Sequence, residues 1–478
     1  MADNKKLLKA AEKSPEDFNK QLNAYFKKNK ELSADFLCFL FLRMIKRNTA
    51  HAVEYFLPRL IETISMNQGI QSAYNILSRL EVALNFRKPT IGLYDNSLHF
   101  IGGAQKYGCT LAHALQNDFD ITFISNKSIS LPELEKWYNL DLSHCPLKII
   151  KIPFFEEDEQ EKILVDPADV DLKKDNPFHI ISKESGNYDI FINNCMLEMV
   201  YPMANISVFI VHFPERERSR FFYVDKYTEI IHNSLYTAEW IKKKWDLIPH
   251  KHIYPPVDMD KPDESPEKED IILSCSRFDP GGNKQQAEMV KVFGKLIKLH
   301  PDTTKGWKLV LTGGSIAENR YLEKIKKMMS QSPELKIELR INVAADELKT
   351  IYQKAKIFWH FTGLNQLDPA KVEHFGMTIA EAMQNGCVPV VFNGGGQTEI
   401  VEDQVSGFLF SSETDLIDRT IKLMDDSNLM DKLSQNVYQR GKQFHKNIFI
   451  DDVRKHFNQL LENYCSIDLS YGENSSGS

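Results

Sequence analysis

Long apolar runs are missing from this chain of 478 residues. Its most apolar segment, residues 34–45, is interrupted by Arg43 and is too short to cross a bilayer. A signal-peptide pattern is missing too, because the opening MADNKKLLKAAEKSPEDFNK is polar and charged. Cysteines are 7, an odd number, with no C-x-x-C pair, which suits free thiols in a reducing compartment. The expected location is cytoplasmic, with a peripheral position on the inner face of a membrane as the variant. An excess of positive charge is likewise absent: 59 Lys and Arg stand against 66 Asp and Glu, a net charge of −7, which removes the general case for nucleic-acid binding. No G-x-G-x-x-G follows the first strand pattern, so a dinucleotide cofactor is not indicated.

What is present is the composition of a soluble globular protein, 42% hydrophobic and 11% aromatic, long enough for two ordinary domains and an added segment. Residues 1–88 read as a helical extension, with apolar residues at three- and four-residue spacing and no glycine before Gly69. That segment holds 15 Lys or Arg against 9 Asp or Glu. It is expected to cap the main body; the competing expectation is a surface that faces a membrane or a partner. Residues 89–262 read as a Rossmann-like domain and 263–435 as a second one. Residues 436–464 read as a helix crossing back to the first domain, and 465–478 as a tail. In the first domain, Thr90–Tyr94 is a strand pattern, Gly102-Gly103 a glycine turn, and the residues from Ala104 to Leu115 a helix. The acidic stretch from Glu156 to Asp175 reads as a solvated loop.

The most informative stretch is 371–410, KVEHFGMTIAEAMQNGCVPVVFNGGGQTEIVEDQVSGFLF. It reads as loop, helix from Met377, strand Val388–Phe392, glycine loop and second helix. Two helix N-termini facing one crevice would offer unpaired N–H groups to an anion such as phosphate. Glu373 and Glu381, eight residues apart, add acceptors for hydroxyl groups. Phosphate beside hydroxyls is the chemistry of a sugar nucleotide.

This stretch resembles the E-x7-E signature of retaining GT-B glycosyltransferases of the family 4 type, with Glu373 and Glu381 as its two acids. The resemblance extends through EHFGMTIAEAMQNGCVPVV and GGGQTEIVE. It implies an α/β GT-B fold: two Rossmann-like domains facing a cleft, preceded here by the helical segment. It also implies donor-phosphate contacts from Arg277 and Lys284, from Gly102 and Gly103, and from the backbone around Phe375, Gly376, Met377 and Thr378, with Gly395 and Gly396 assisting. Val343 corresponds to the place where the family reads the base, Glu381 to the ribose contact, and Glu373 to the sugar hydroxyls. The insertion Gly281-Gly282-Asn283 before Lys284 is longer than the commonest family pattern.

His212, in an H-x-P setting after the run SVFIV, matches a family histidine facing the reacting sugar. His212 and Glu373 are thus the expected catalytic positions. Both glutamates stand on the donor side, so hydroxyl binding suits Glu373 better than a nucleophile's part. NSLYTAEWIKKKW and YPPVD resemble the branch that includes mannosyltransferases extending lipid-linked oligosaccharides. The implied reaction moves a hexosyl unit from a UDP- or GDP-sugar to a hydroxyl acceptor, lipid-linked saccharide among them, with no cofactor and no metal. Asp258-x-Asp260 resembles a metal-binding D-x-D but falls where one domain closes and a charged linker opens. Two other readings compete: a glycosyltransferase-like subunit that binds a partner through residues 1–88 without turnover, and a phosphorylase of the same fold, for which no pyridoxal-phosphate lysine is evident.

Overall fold

The computed structural model describes residues 6–7, 9–10, 13–28, 40–41, 57–68, 70–152, 176–258 and 266–465. The expected acidic loop from residue 156 to 175, Asp260 of the D-x-D and the tail beyond 465 lie outside these residues.

Short β-branched runs build two parallel sheets. The first holds β1 (Thr90–Tyr94), β2 (Asp120–Ser125), β3 (Leu147–Ile149), β4 (Ile190–Asn193), β5 (Ile206–Val211), β6 (Glu229–His232) and β7 (Lys251–His252), in the order β3-β2-β1-β4-β5-β6-β7. The second holds β8 (Glu269–Cys275), β9 (Lys308–Gly313), β10 (Ile337–Ile341), β11 (Ala355–His360), β12 (Val388–Phe392) and β13 (Phe408–Phe410), in the order β10-β9-β8-β11-β12-β13. All ladders are parallel. Strands buried on both faces need continuous apolar sequence, and β5, ISVFIV, is buried at all six positions. Helices cover both faces of each sheet: Ile91, Leu93, Leu111 and Phe123 fill one core of the first, while Phe191, Phe209 and Trp245 fill the other.

Among the described residues of the extension, the helices are Pro15–Lys28, Leu57–Gln68 and Ile70–Ala83. The last of these packs on the body: Ala73, Ile76 and Leu80 are buried, and Arg79 lies over the Tyr464 ring at 5.6 Å. Arg87, beyond it, pairs with Asp189 at the foot of β4, 2.6 Å away.

The C-terminal part differs from the single helix expected over 436–464. Helix Ser427–Gly441 lies against Met377–Gln384 of the second unit, and a separate helix, Lys446–Cys465, lies against Gly103–Leu115 of the first. The crossing is made by the short turn Lys442–Phe444, pinned by an isolated bridge between Val257 and His445. Sequence periodicity carries through the turn, which hides the break. Asp258, the first residue of the D-x-D, is paired with Lys446 at this crossing.

Candidate active site

Parallel α/β sheets leave their strand C-termini and helix N-termini facing one edge, where ligands bind. Here the two such edges face one another. Phe213, next to His212, stacks on His374, next to Glu373, with ring centroids 3.9 Å apart and planes at 5°. A Cβ built on Gly103 would stand 2.8 Å from Met377 Sδ, so the two walls approach closely at this point. Lys106, one turn into the same helix as Gly103, places Nζ 4.0 Å from Glu381 Oε1. The cleft thus brings His212, Gly103, Glu373, Met377 and Glu381 onto facing walls.

Glu373 sits in the loop before the helix Met377–Gln384, half-buried beside two basic side chains. Lys284 Nζ is 2.7 Å from Oε2, and His360 Nε2 is 3.3 Å from the same oxygen. Burial works to raise this carboxyl, but the Lys284 charge and the His360 contact hold it well below the usual carboxylate range. Glu381, one turn into the helix, accepts a hydrogen bond from Tyr352 at 2.9 Å. Burial pushes its carboxyl up, while Lys106 and Tyr352 act against the rise. Gly376 opens the helix at φ +110°, a conformation that favours glycine, and no side chain caps this N-terminus. Phe375 is buried beneath it, and Met377 and Thr378 supply its first turn.

His212 follows β5, half-buried. Its Nε2 donates to Asn194 O at 3.2 Å, which leaves Nδ1 as the acceptor nitrogen. Asn194 is itself held by Asp95 at 2.6 Å and by Ala104 O at 3.0 Å. Tyr107 meets the ring edge-on at 5.6 Å. Burial lowers the histidine to about 4, with His374 adding to the depression, so the imidazole is neutral near pH 7. A neutral ring with one free lone pair can accept a hydrogen bond from a hydroxyl.

Other expected positions stand differently. Arg277, exposed beyond β8, has no acid partner among the described residues. Val343 follows Asn342, whose positive φ of 53° and side-chain bonds to Ser315 shape the end of β10. Gly102 does not offer its N–H to a ligand, because that group donates to Tyr138 Oη at 3.0 Å. The glycine loop after β12 also departs from expectation. Gly396 donates to Glu373 O at 2.8 Å, and a Cβ on Gly396 would fall 2.1 Å from His374 O. Gly395 and Gly396 make room for the chain's own 373–375 backbone. The helix they open, Gln397–Ile400, is a single turn.

Sequence reasoning missed His360, Tyr352, Gln397, Asn194 and Lys106. Only His360 carried a local signal, a histidine ending the apolar run AKIFW, as His212 ends its own. Among the described residues no group of three or more His, Cys, Asp or Glu is arranged to hold a metal ion.

Residues 258–440 match the family model described as Glycosyl transferases group 1. The GDP-Man:Man(3)GlcNAc(2)-PP-Dol alpha-1,2-mannosyltransferase of Mus musculus is 32% identical over 198 residues, covering 38% of this chain and 38% of that protein. The alpha-1,3/1,6-mannosyltransferase of Rhizomucor pusillus is 26% identical over 287 residues, covering 50% of this chain and 63% of its own. The chain therefore spans less than two thirds of the length of these relatives. Among solved structures, Anabaena HepE in complex with UDP and glucose superposes with a TM-score of 0.57 at 16% identity, covering 78% of this chain and 100% of that one. TarM gives 0.58 at 12% identity, covering 79% and 99%. At such identities the likeness speaks for the fold, which is the GT-B arrangement of these glycosyltransferases.

Proposed function

We propose that this chain is a retaining glycosyltransferase that moves a hexosyl unit from a nucleoside-diphosphate sugar to a hydroxyl acceptor without a divalent metal. The observation that carries the reading is the facing of Glu373 and Glu381 across one cleft with Lys106, Gly103 and His212. Support comes from Arg277, Lys284 and the uncapped helix N-terminus at Met377, whose positive charge suits the negative charge that a leaving diphosphate develops. Glu373 holds sugar hydroxyls and Glu381 the ribose, while the Val343 corner receives the base. His212 accepts from a hydroxyl of the reacting sugar on the opposite wall. The acceptor attacks on the face that the diphosphate vacates, which retains the anomeric configuration.

The relatives' names favour GDP-mannose as donor and a lipid-linked oligosaccharide as acceptor. No helix among the described residues is long and apolar enough to cross a membrane. A lipid-linked acceptor would then be met from the cytoplasmic side by a peripherally placed chain.

The test is thermal stability against GDP, UDP, ADP and their common sugar conjugates. A ligand at 100 times its dissociation constant adds about 2.7 kcal/mol, seen as a raised melting temperature. A shift with one base supports the donor site and names the nucleotide. No shift with any of them at millimolar ligand defeats the reading. Transfer to a dolichol-linked oligomannoside, with the product's anomeric proton read by NMR, then decides acceptor and stereochemistry.

A further inference from the structure

We propose that His360 is a positioning residue for the sugar end of the donor site. It clamps one carboxylate oxygen of Glu373 so that the other is presented to the sugar hydroxyls. This rests on the sugar-nucleotide reading above.

His360 ends β11 and is 2% exposed. Its Nδ1 lies 2.9 Å from Gln397 Oε1. The orientation of that amide is fixed independently, because its Nε2 donates to Thr362 O at 2.9 Å and to Gly394 O at 3.2 Å. The Gln397 oxygen can only accept, so Nδ1 carries a hydrogen. The other ring nitrogen, Nε2, faces Glu373 Oε2 at 3.3 Å, with Thr362 Oγ1 3.5 Å away. With both ring nitrogens protonated, the imidazole would donate Nδ1–H to Gln397 and Nε2–H to Glu373.

Lys284 Nζ binds the same Oε2 at 2.7 Å. Both basic groups therefore converge on one oxygen, and Oε1 has no partner among the described residues. The Glu373 side chain keeps 16% of its surface exposed, so ligand can reach it. The main chain is held by the same loop, since Gly396 N–H binds Glu373 O at 2.8 Å. Gln397 and Gly396 thus fix the imidazole and the Glu373 backbone from adjacent positions. The glycine loop acts here as the mount of Glu373.

Asparagine and glutamine separate the two ends of the ring. His360→Asn keeps an amide near Nδ1 and loses the reach to Glu373; His360→Gln keeps an N–H near the place of Nε2. Calorimetry on the full chain would measure GDP against GDP-mannose, and UDP against UDP-glucose, for wild type and both variants. For the base that wild type binds, His360→Asn is expected to weaken the sugar nucleotide about tenfold, the size of one lost charge-assisted hydrogen bond, and to leave the bare nucleotide within about twofold. His360→Gln is expected to recover most of the loss. An Asn variant that weakens both ligands equally, or neither, overturns the proposal, since a merely structural histidine would not distinguish them. A wild type that binds none of the four ligands overturns the donor reading itself, a different result.

Discussion

Glu399 of the second sheet unit caps a helix of the first. Its carboxylate accepts from the N–H groups of Leu235 and Tyr236, at 2.8 and 2.7 Å, where the helix Leu235–Trp245 begins. Tyr254 adds a hydroxyl at 3.3 Å, and Arg440 fixes the Glu399 carbonyl at 2.6 Å. This ties the closed cleft together at a distance from the two signature glutamates. Capping contacts are worth about 1 kcal/mol. Glu399→Ala is expected to lower the melting temperature by a few degrees and to enlarge the radius of gyration in small-angle scattering. An unchanged envelope would mean that the aromatic contacts Phe213–His374 and Tyr254–Phe375 hold closure alone.

Lys284 is the nearest cation to Glu373, and replacing it leaves a half-buried carboxylate with His360 as its remaining partner. On the proposed function, the fixed charge that Lys284 offers to a leaving diphosphate is lost in the same step. Lys284→Met is expected to reduce kcat/KM for transfer at least 100-fold, from about 3 kcal/mol of lost transition-state stabilisation. Steady-state kinetics checks this, with circular dichroism confirming the fold. A loss under threefold would place the diphosphate elsewhere.

Much of the frame was legible because it rests on local rules. Strand bounds at Thr90–Tyr94 and Val388–Phe392, and the helix start at Met377, follow from apolar runs bounded by glycine and polar residues. The two glutamates were singled out by the family resemblance of their 40-residue context, since an eight-residue spacing alone is common. Their partners were not. Lys106, Tyr352 and His360 lie 275, 29 and 13 positions from the acids they touch, by subtraction of residue numbers, and no periodicity encodes such pairings. The glycine loop is ambiguous in sequence for a related reason. A close approach demands glycine whether the visitor is a phosphate or the chain's own 373–375 backbone, and only tertiary structure tells the two apart.

Histidines buried as neutral rings set an acid limit on stability. His212 and His374 are both lowered by burial from 6.5 to about 4. Between those values the unfolded chain binds protons that the folded chain refuses, so stability falls as pH drops from 6.5 toward 4. Glu373, held low, adds its own loss below its ordinary value of 4.5. Melting temperature is therefore expected to be flat from pH 8 to 7 and to decline steadily below 6.5. His212→Gln should flatten part of that decline. A wild-type profile level down to pH 5 would show that these rings titrate normally.

Asp189 decides whether the helical extension belongs to the body. Its carboxylate accepts from Arg87 at 2.6 and 2.8 Å, from the Ser78 hydroxyl at 2.5 Å, and from the Thr90 N–H and hydroxyl at 2.8 and 2.9 Å. One buried acid thereby joins the helix Ile70–Ala83, the segment entering β1 and the foot of β4. Asp189→Ala leaves the Arg87 guanidinium half-buried without its main partner, which costs about 3 kcal/mol when such a pair is broken. Urea unfolding should show that loss, and limited proteolysis should gain a cut between residues 84 and 88. Nucleotide affinity should stay within about twofold, because Asp189 stands at the N-terminal end of β4 and the cleft lies beyond the C-terminal ends. Proteolysis that instead spreads through both sheets would show that the extension supports the whole fold and is no detachable cap.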